Sequence, residues 1–420
     1  MAAEAKAPLL DGRRGATPAQ TLGNIVVSIV GTGVLGLPYA FRTAGWLAGA
    51  LGVAAAGAAT FYCMLLLLDC RDKLREQEEA EENDGNYTYG DLGEKCFGRV
   101  GRYFTEATII LSQTGGTVAY LVFIGQNISS IFSTTTSTWL SPPTVVLALL
   151  LPIQAALSLI RSLSSLGHFS LLADACTALA VAAVVTQDAQ LLAARGVAGR
   201  RALADAGIWW GLPFAFGFAV FCFEGFCMTL ALEASMAEHR GKFRGVLLRA
   251  LAGVTLVYVG FGACGYLAYG EETMDIVTLN LPRTWPTAAV KLALCVALAL
   301  TFPVMMHPIH EIVEARLLGW LRKRCCGGGG GVGERAAVQA SRVAVLAALS
   351  AVACFVPAFG AFAAFVGSTV CATLSFVLPA LFHLRVVGEA ANAWQRAVDW
   401  FFLLFGLGFA AHGLYAAAFG

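Results

Sequence analysis

The run Ile29-Val30-Gly31-Thr32-Gly33-Val34-Leu35-Gly36-Leu37-Pro38 sets three glycines and a proline inside an apolar stretch. In a helix interior each glycine costs about 1 kcal/mol and the proline about 3 kcal/mol. The glycines fall at i, i+2 and i+5, so they do not share one helix face as a small-xxx-small packing stripe would. The spacing predicts local unwinding that frees backbone groups around Gly31, Thr32, Gly33 and Val34. A second disturbed run, Trp209-Trp210-Gly211-Leu212-Pro213 to Gly217-Phe218, continues through Phe221, Cys222 and Phe223 to Glu224-Gly225-Phe226. Freed N–H groups at half-helix ends hold anions, freed carbonyls hold cations, and a deep carboxylate carries a proton. Glu224, near the midpoint of its apolar run, costs several kcal/mol there unless it is paired, protonated or facing a cavity. Asp174 is the other deep carboxylate, and Ser112 and Thr301 are candidates to line a polar cavity. His168 lies six positions before Asp174, about 240° away around a helix, so the two do not form a dyad. His307 and Glu311 are i and i+4 and can pair.

The elements that position these residues follow from composition. Of 420 residues, 58% are hydrophobic and only 13% charged, about half the charge of a soluble domain. That excludes secreted disulfide scaffolds, nucleic-acid binders and disordered chains, and it predicts an all-α integral membrane protein. A bilayer core of about 30 Å needs roughly 20 apolar residues per helix. Eleven windows qualify: 21–43, 46–68, 102–131, 142–160, 167–191, 208–235, 245–269, 286–315, 336–356, 358–384 and 395–418. Gly45 and Pro357 are the punctuation at the two closest boundaries. A β-barrel is excluded because the apolar runs are continuous and too long.

Lys and Arg placement sets the orientation. With a cytosolic N-terminus, 22 of the 28 basic residues fall on the inner side; Arg42, Arg195, Arg200, Arg201, Arg283 and Lys291 are left outside. The C-terminus is then luminal. No cleavable signal peptide is expected, since residues 1–20 are polar and the first apolar run is too long for one. The charged segment Arg71–Asp84, with Leu74 its only large aliphatic residue, reads as a solvated helical extension. Gly327–Gly331 reads as a flexible tether. None of the twelve cysteines falls in an outer loop, so no structural disulfide is expected, and no metal-ligand spacing or cofactor motif occurs. The sequon at Asn86 is cytosolic and that at Asn127 intramembrane, so neither should carry glycan.

Gly31-Thr32-Gly33-Val34-Leu35-Gly36-Leu37-Pro38-Tyr39-Ala40 resembles the first-helix signature of the amino acid/auxin permease family. The block Cys222-Phe223-Glu224-Gly225-Phe226-Cys227-Met228 through Glu233-Ala234-Ser235-Met236 resembles its sixth helix. Tyr269-Gly270-Glu271-Glu272-Thr273 and Thr301-Phe302-Pro303-Val304-Met305-Met306 continue the match. The chain is similar above all to the plant vacuolar branch that moves aromatic and neutral amino acids. It departs from that branch at Cys227, where glycine is usual, and at Ala231, where proline is usual. Sodium-coupled relatives have Asn where Val27 stands.

The resemblance implies a LeuT-like fold: a cytosolic tail at 1–20, two inverted five-helix repeats at 21–191 and 208–384, and an additional span at 395–418. It implies proton-coupled transport of neutral or aromatic amino acids across the vacuolar membrane by alternating access, with the plasma membrane as the alternative location. The substrate carboxylate would meet N–H groups at Gly31, Thr32, Gly33 and Val34. The ammonium would meet carbonyls near Phe221, Cys222 and Phe223, with Ser112 and Thr301 lining the cavity. Glu224 and Asp174 would couple the proton. The partners are then an amino acid, protons and lipid, with no nucleic acid, and the chain acts as a monomer. The competing readings are an amino-acid-sensing receptor and a permease for auxin-like or polyamine substrates. An enzyme is disfavoured, because no activated nucleophile or carboxylate pair sits at a membrane surface.

Overall fold

A computed structural model describes residues 16–78, 87–132, 141–158, 163–195, 209–236, 240–324, 332–388 and 390–419. Helix α1, Pro18–Ile29, opens with a capping box in which the Thr17 hydroxyl accepts from the Gln20 N–H and the Gln20 side chain accepts from the Thr17 N–H. Pro18 sits in its first turn, where a missing N–H costs nothing. A 3-10 turn over Thr32–Gly36 leads into α2, Leu37–Ala44, bent by 49° from α1. Gly45, at φ +82°, makes the corner before α3, Trp46–Glu78. Helix α4, Tyr89–Phe132, is kinked at Phe97 and Gly98. Arg102 spans that kink, bonding Glu94 at 2.6 Å and Glu106 at 2.8 Å and lying 3.2 Å from Asp91.

The remaining helices are α5 (Pro142–Ser158, with a π-helical stretch at Val145–Leu150), α6 (Leu163–Arg195), α7 (Leu212–Cys222) and α8 (Phe226–Ser235). They are followed by α9 (Phe243–Tyr269), α10 (Trp285–Arg324), α11 (Val332–Phe355), α12 (Phe359–Val386) and α13 (Ala393–Phe419). No strand occurs among the described residues. All eleven apolar windows overlap helix. Among the described residues, with α7 and α8 counted together as Leu212–Ser235, nine helical segments are long and apolar enough to cross a membrane, or ten with α1–α2 as one bent span; α5 is shorter.

The chain divides into two compact units. One holds Gln113–Gln187 and Thr278–Phe359. Here Pro303 interrupts α10, and because proline has no N–H, the Ala299 carbonyl four residues back loses its donor. Gln154 of α5 replaces it, its Nε2 donating to the Ala299 oxygen at 2.9 Å. Arg342 of α11 bonds Glu314 of α10 at 2.5 Å and the Ser158 carbonyl of α5 at 2.8 Å. Asn127, fully buried, donates to the Phe123 carbonyl and accepts from Thr278 at 2.6 Å.

The other unit holds Gly12–Ser112, Asp188–Val277 and Gly360–Gly420. Helix α9 packs on α1, α2 and α3, and α7 packs on α2, α3 and the π-helical segment Gly367–Cys371 of α12. The α7–α12 approach is so close that a Cβ on Gly367 would overlap the Gly217 carbonyl oxygen. His383 of α12 and Asp399 of α13 form a fully buried pair, Nδ1 to Oδ2 at 2.7 Å. The Arg71–Asp84 expectation needs correction at its start: Arg71 is 5% exposed, not solvated, and pairs with the equally buried Glu233 of α8. Its counter-charge lies far along the chain, which a local reading of charge density does not capture.

Candidate functional site

The two disturbed runs break within the same unit and face each other. After α1 the backbone leaves helix at Val30 (φ −78°, ψ 93°) and Gly31 (φ −112°, ψ −159°). The first bond of the following 3-10 turn is Val34 N–H to the Gly31 carbonyl at 3.4 Å. The N–H groups of Thr32 and Gly33, which precede it, therefore have no acceptor within the helix. Helix α7 ends at Cys222, and Phe223, Glu224 and Gly225 form an irregular link to α8. The expected unwinding is present at both places.

Small residues let the two breaks touch. A Cβ at Gly33 would stand 2.7 Å from the Cys222 sulfur and 3.4 Å from its Cα. A Cβ at Gly225 would stand 3.1 Å from the Ile29 side chain. Tyr258 of α9 joins the two ends: its hydroxyl lies 3.0 Å from the Ile29 carbonyl oxygen and 3.2 Å from that of Cys222. The phenol has one hydrogen, so it serves one carbonyl fully at a time or shares it weakly between both. Its ring stands 5.1 Å from that of Phe223.

Glu224 lies in the second break. One of its oxygens accepts from the Ser112 hydroxyl of α4, and the other is 3.7 Å from the Cys371 thiol of α12. Ser112 and Cys371 are themselves 3.4 Å apart, and both are fully buried. Side chains from two helices, α4 and α12, thus converge on one carboxylate. The arrangement offers unspent N–H donors, carbonyls at two helix ends and a protonatable group within one site.

Of the residues picked out from sequence, Gly31, Thr32, Gly33, Val34, Phe221, Cys222, Phe223, Ser112 and Glu224 all belong to this unit. Thr301 belongs to the other, where its hydroxyl donates to its own helix at the Ala297 or Leu298 carbonyl. Asp174 and His168 lie on α6, where their side chains fall outside the described residues. His307 and Glu311 do approach, at 4.0 Å on an exposed face. Sequence reasoning missed Tyr258, Cys371 and Asp188. Asp188, on the last turns of α6, is 1% exposed, faces the Tyr269 phenol of α9, and lies close to Gly265, whose Cβ position also abuts Pro38. An acidic residue followed by an apolar run was available as a signal for Asp188; nothing local marks Tyr258 or Cys371.

A family model described as transmembrane amino acid transporter protein matches residues 14–419. The chain is 52% identical over 400 residues to Amino acid transporter ANT1 of Arabidopsis thaliana, covering 94% of this chain and 91% of that protein. It is 37% identical over 410 residues to Amino acid transporter AVT3B of the same plant, covering 95% and 93%. Vacuolar amino acid transporter 3 of Schizosaccharomyces pombe is 26% identical over 419 residues, covering 95% of this chain and 59% of that protein.

Proposed function

Because the chain belongs to the transmembrane amino acid transporter protein family, we propose that it is a proton-coupled carrier of neutral and aromatic amino acids in the vacuolar membrane. The relatives are named as transporters rather than enzymes, and one is named as vacuolar. The observation that carries the reading is the pair of facing helix breaks with Glu224 between Ser112 and Cys371. The substrate carboxylate accepts from the Thr32 and Gly33 N–H groups, and the ammonium meets carbonyls at the Phe221–Phe223 end. Phe221 and Phe223 supply an apolar wall.

Glu224 takes the coupling proton. With the carboxyl neutral, the Ser112 and Cys371 contacts hold the α7–α8 link in one arrangement; with it charged, the same contacts must carry an anion in an apolar setting. That difference biases the equilibrium between inward- and outward-open states, which is what coupling requires. Two inverted five-helix repeats, α1–α6 and α7–α12, with α13 added, account for the five-helix gap between the breaks. The N-terminus is cytosolic, and the carrier works as a monomer. A hydrophobic Val27, 49% exposed, stands where sodium-coupled relatives have a ligand, which favours protons over sodium.

The test is uptake of a panel of amino acids by proteoliposomes with proton and sodium gradients imposed separately. Flux of neutral and aromatic substrates driven by the proton gradient alone is expected. Flux driven only by sodium, or none for any amino acid, overturns the reading.

A further inference from the structure

We propose that the end of α3, α8 and α9 that the basic-residue distribution places in the cytosol carries a binding site for a phosphate group. An open cavity of about 150 Å³ lies there, lined by Arg71, Asp72 and Arg75 of α3, Glu233 of α8, and Arg240 and Arg244 at the start of α9. Arg71 and Arg75 are i and i+4, as are Arg240 and Arg244, and like charges at that spacing repel. Two carboxylates in the lining leave positive charge in surplus.

The unspent donors are specific. Arg71 has a side chain only 6% exposed; one terminal nitrogen bonds Glu233 and the other bonds Asp72 at 2.6 Å. Its Nε–H, equally buried, has no partner, and a buried donor left unmatched is costly. Arg244 is occupied by Asp69 at 2.7 Å and Asp72 at 2.9 Å. Arg75 forms no ion pair among the described residues, so its whole guanidinium fork is available. A tetrahedral dianion matches this set: one oxygen accepts from the Arg71 Nε while two accept from the planar fork of Arg75. The Glu233 pair already holds Arg71 in place, so little side-chain entropy is lost on binding. The cavity has room for a phosphate and a few waters, each water taking about 30 Å³. A phosphorylated headgroup of the cytosolic leaflet and a free phosphate present the same chemistry.

The test uses the purified full-length chain titrated with inorganic pyrophosphate, with short-chain phosphatidylinositol monophosphate, and with short-chain phosphatidylcholine. Saturable binding of pyrophosphate assigns a soluble ligand. Binding of the phosphorylated lipid but not pyrophosphate assigns a headgroup. In either case the double variant Arg75→Gln, Arg240→Gln should bind about tenfold more weakly or worse, the scale of losing charge-assisted hydrogen bonds. Lys73→Gln, off the cavity on the same helix, should bind as the parent does. Both altered arginines are half-buried at the surface, and an unchanged unfolding midpoint confirms that the variant is folded. If neither phosphate probe binds, or the double variant binds like the parent, the site does not exist. The readout is binding without flux, so its failure leaves the transport proposal standing.

Discussion

Glu224→Gln keeps the side-chain shape and an acceptor for Ser112 while removing the titrating proton, so it separates coupling from packing. The expected result in proteoliposomes is residual exchange of substrate with loss of the response to an imposed proton gradient; an unchanged response takes Glu224 out of the coupling role. Asp188 gives the comparison. It is 1% exposed, where Glu224 is half-buried, and it faces Tyr269 rather than the breaks, so Asp188→Asn should leave the proton response intact where Glu224→Gln abolishes it, and the reverse pattern would move coupling to Asp188. A third test concerns contact rather than charge. Gly33→Ala puts a methyl carbon 2.7 Å from the Cys222 sulfur, an overpacking worth about 1–3 kcal/mol. Uptake should fall by about tenfold or more, and adding Cys222→Ala should restore much of it because the clashing atom is gone. No rescue would mean that Gly33 matters for backbone conformation and not for closeness. Glu224 and the glycine run are readable from sequence because each carries a cost that a plain helix would not tolerate. Tyr258 is not, because a tyrosine in an apolar span is ordinary until the chain brings the Ile29 and Cys222 carbonyls to its hydroxyl.

At the level of elements, one proline break in this chain comes with its own repair. Pro303 strands the Ala299 carbonyl inside α10, and Gln154 answers it from α5. With no water in the bilayer core, nothing else there can do so. Gln154→Leu retains the bulk and removes the donor, leaving one buried acceptor unmatched at a cost of about 1–3 kcal/mol. A lower unfolding midpoint in nanodiscs, with substrate affinity unchanged, is the expected outcome; an unaltered midpoint would show that Ala299 finds another donor. The helix boundaries were legible at Gly45 and Pro357 because a positive φ and a missing N–H act locally. The Phe97–Gly98 kink and the π-helical turns of α5 and α12 were not, since both answer to packing. Arg71 shows the same limit from the other side. Its neighbours in sequence are charged and wet, but α8 delivers Glu233 to it, and Glu233→Ala should destabilise the fold, by less than the ~3–5 kcal/mol of a fully unpaired buried charge, because Arg71 still keeps the more exposed Asp72 as counter-charge.

On the scale of the whole molecule, the asymmetry of charge makes the most exposed claim. The proposed topology, with 22 of 28 basic residues on the inner side, assigns one end of every helix to the cytosol. The same proposal turns the α3–α8–α9 cavity toward a cytosolic phosphate. Two glycan acceptors read this directly. The native Asn86-Tyr87-Thr88 sequon follows α3 in sequence, and under the proposed topology it should stay bare in a eukaryotic membrane even though its motif is intact. An Asn-Gly-Thr acceptor placed beyond a polar linker after Gly420 should be glycosylated if, as proposed, α13 ends in the lumen. A gel-mobility shift that disappears on deglycosylation, present in the tagged chain and absent from the parent, is the expected pair of results. A glycan on Asn86 with none at the C-terminus would invert the topology. Substrate would then enter the site from the opposite side, and the arginine cavity would face the lumen. Because an odd number of spans puts the two ends on opposite sides, the same experiment tests the count: modification at neither site requires an even number, and would mean that α5, the one apolar segment of intermediate length among the described residues that falls short of a full span, does not cross.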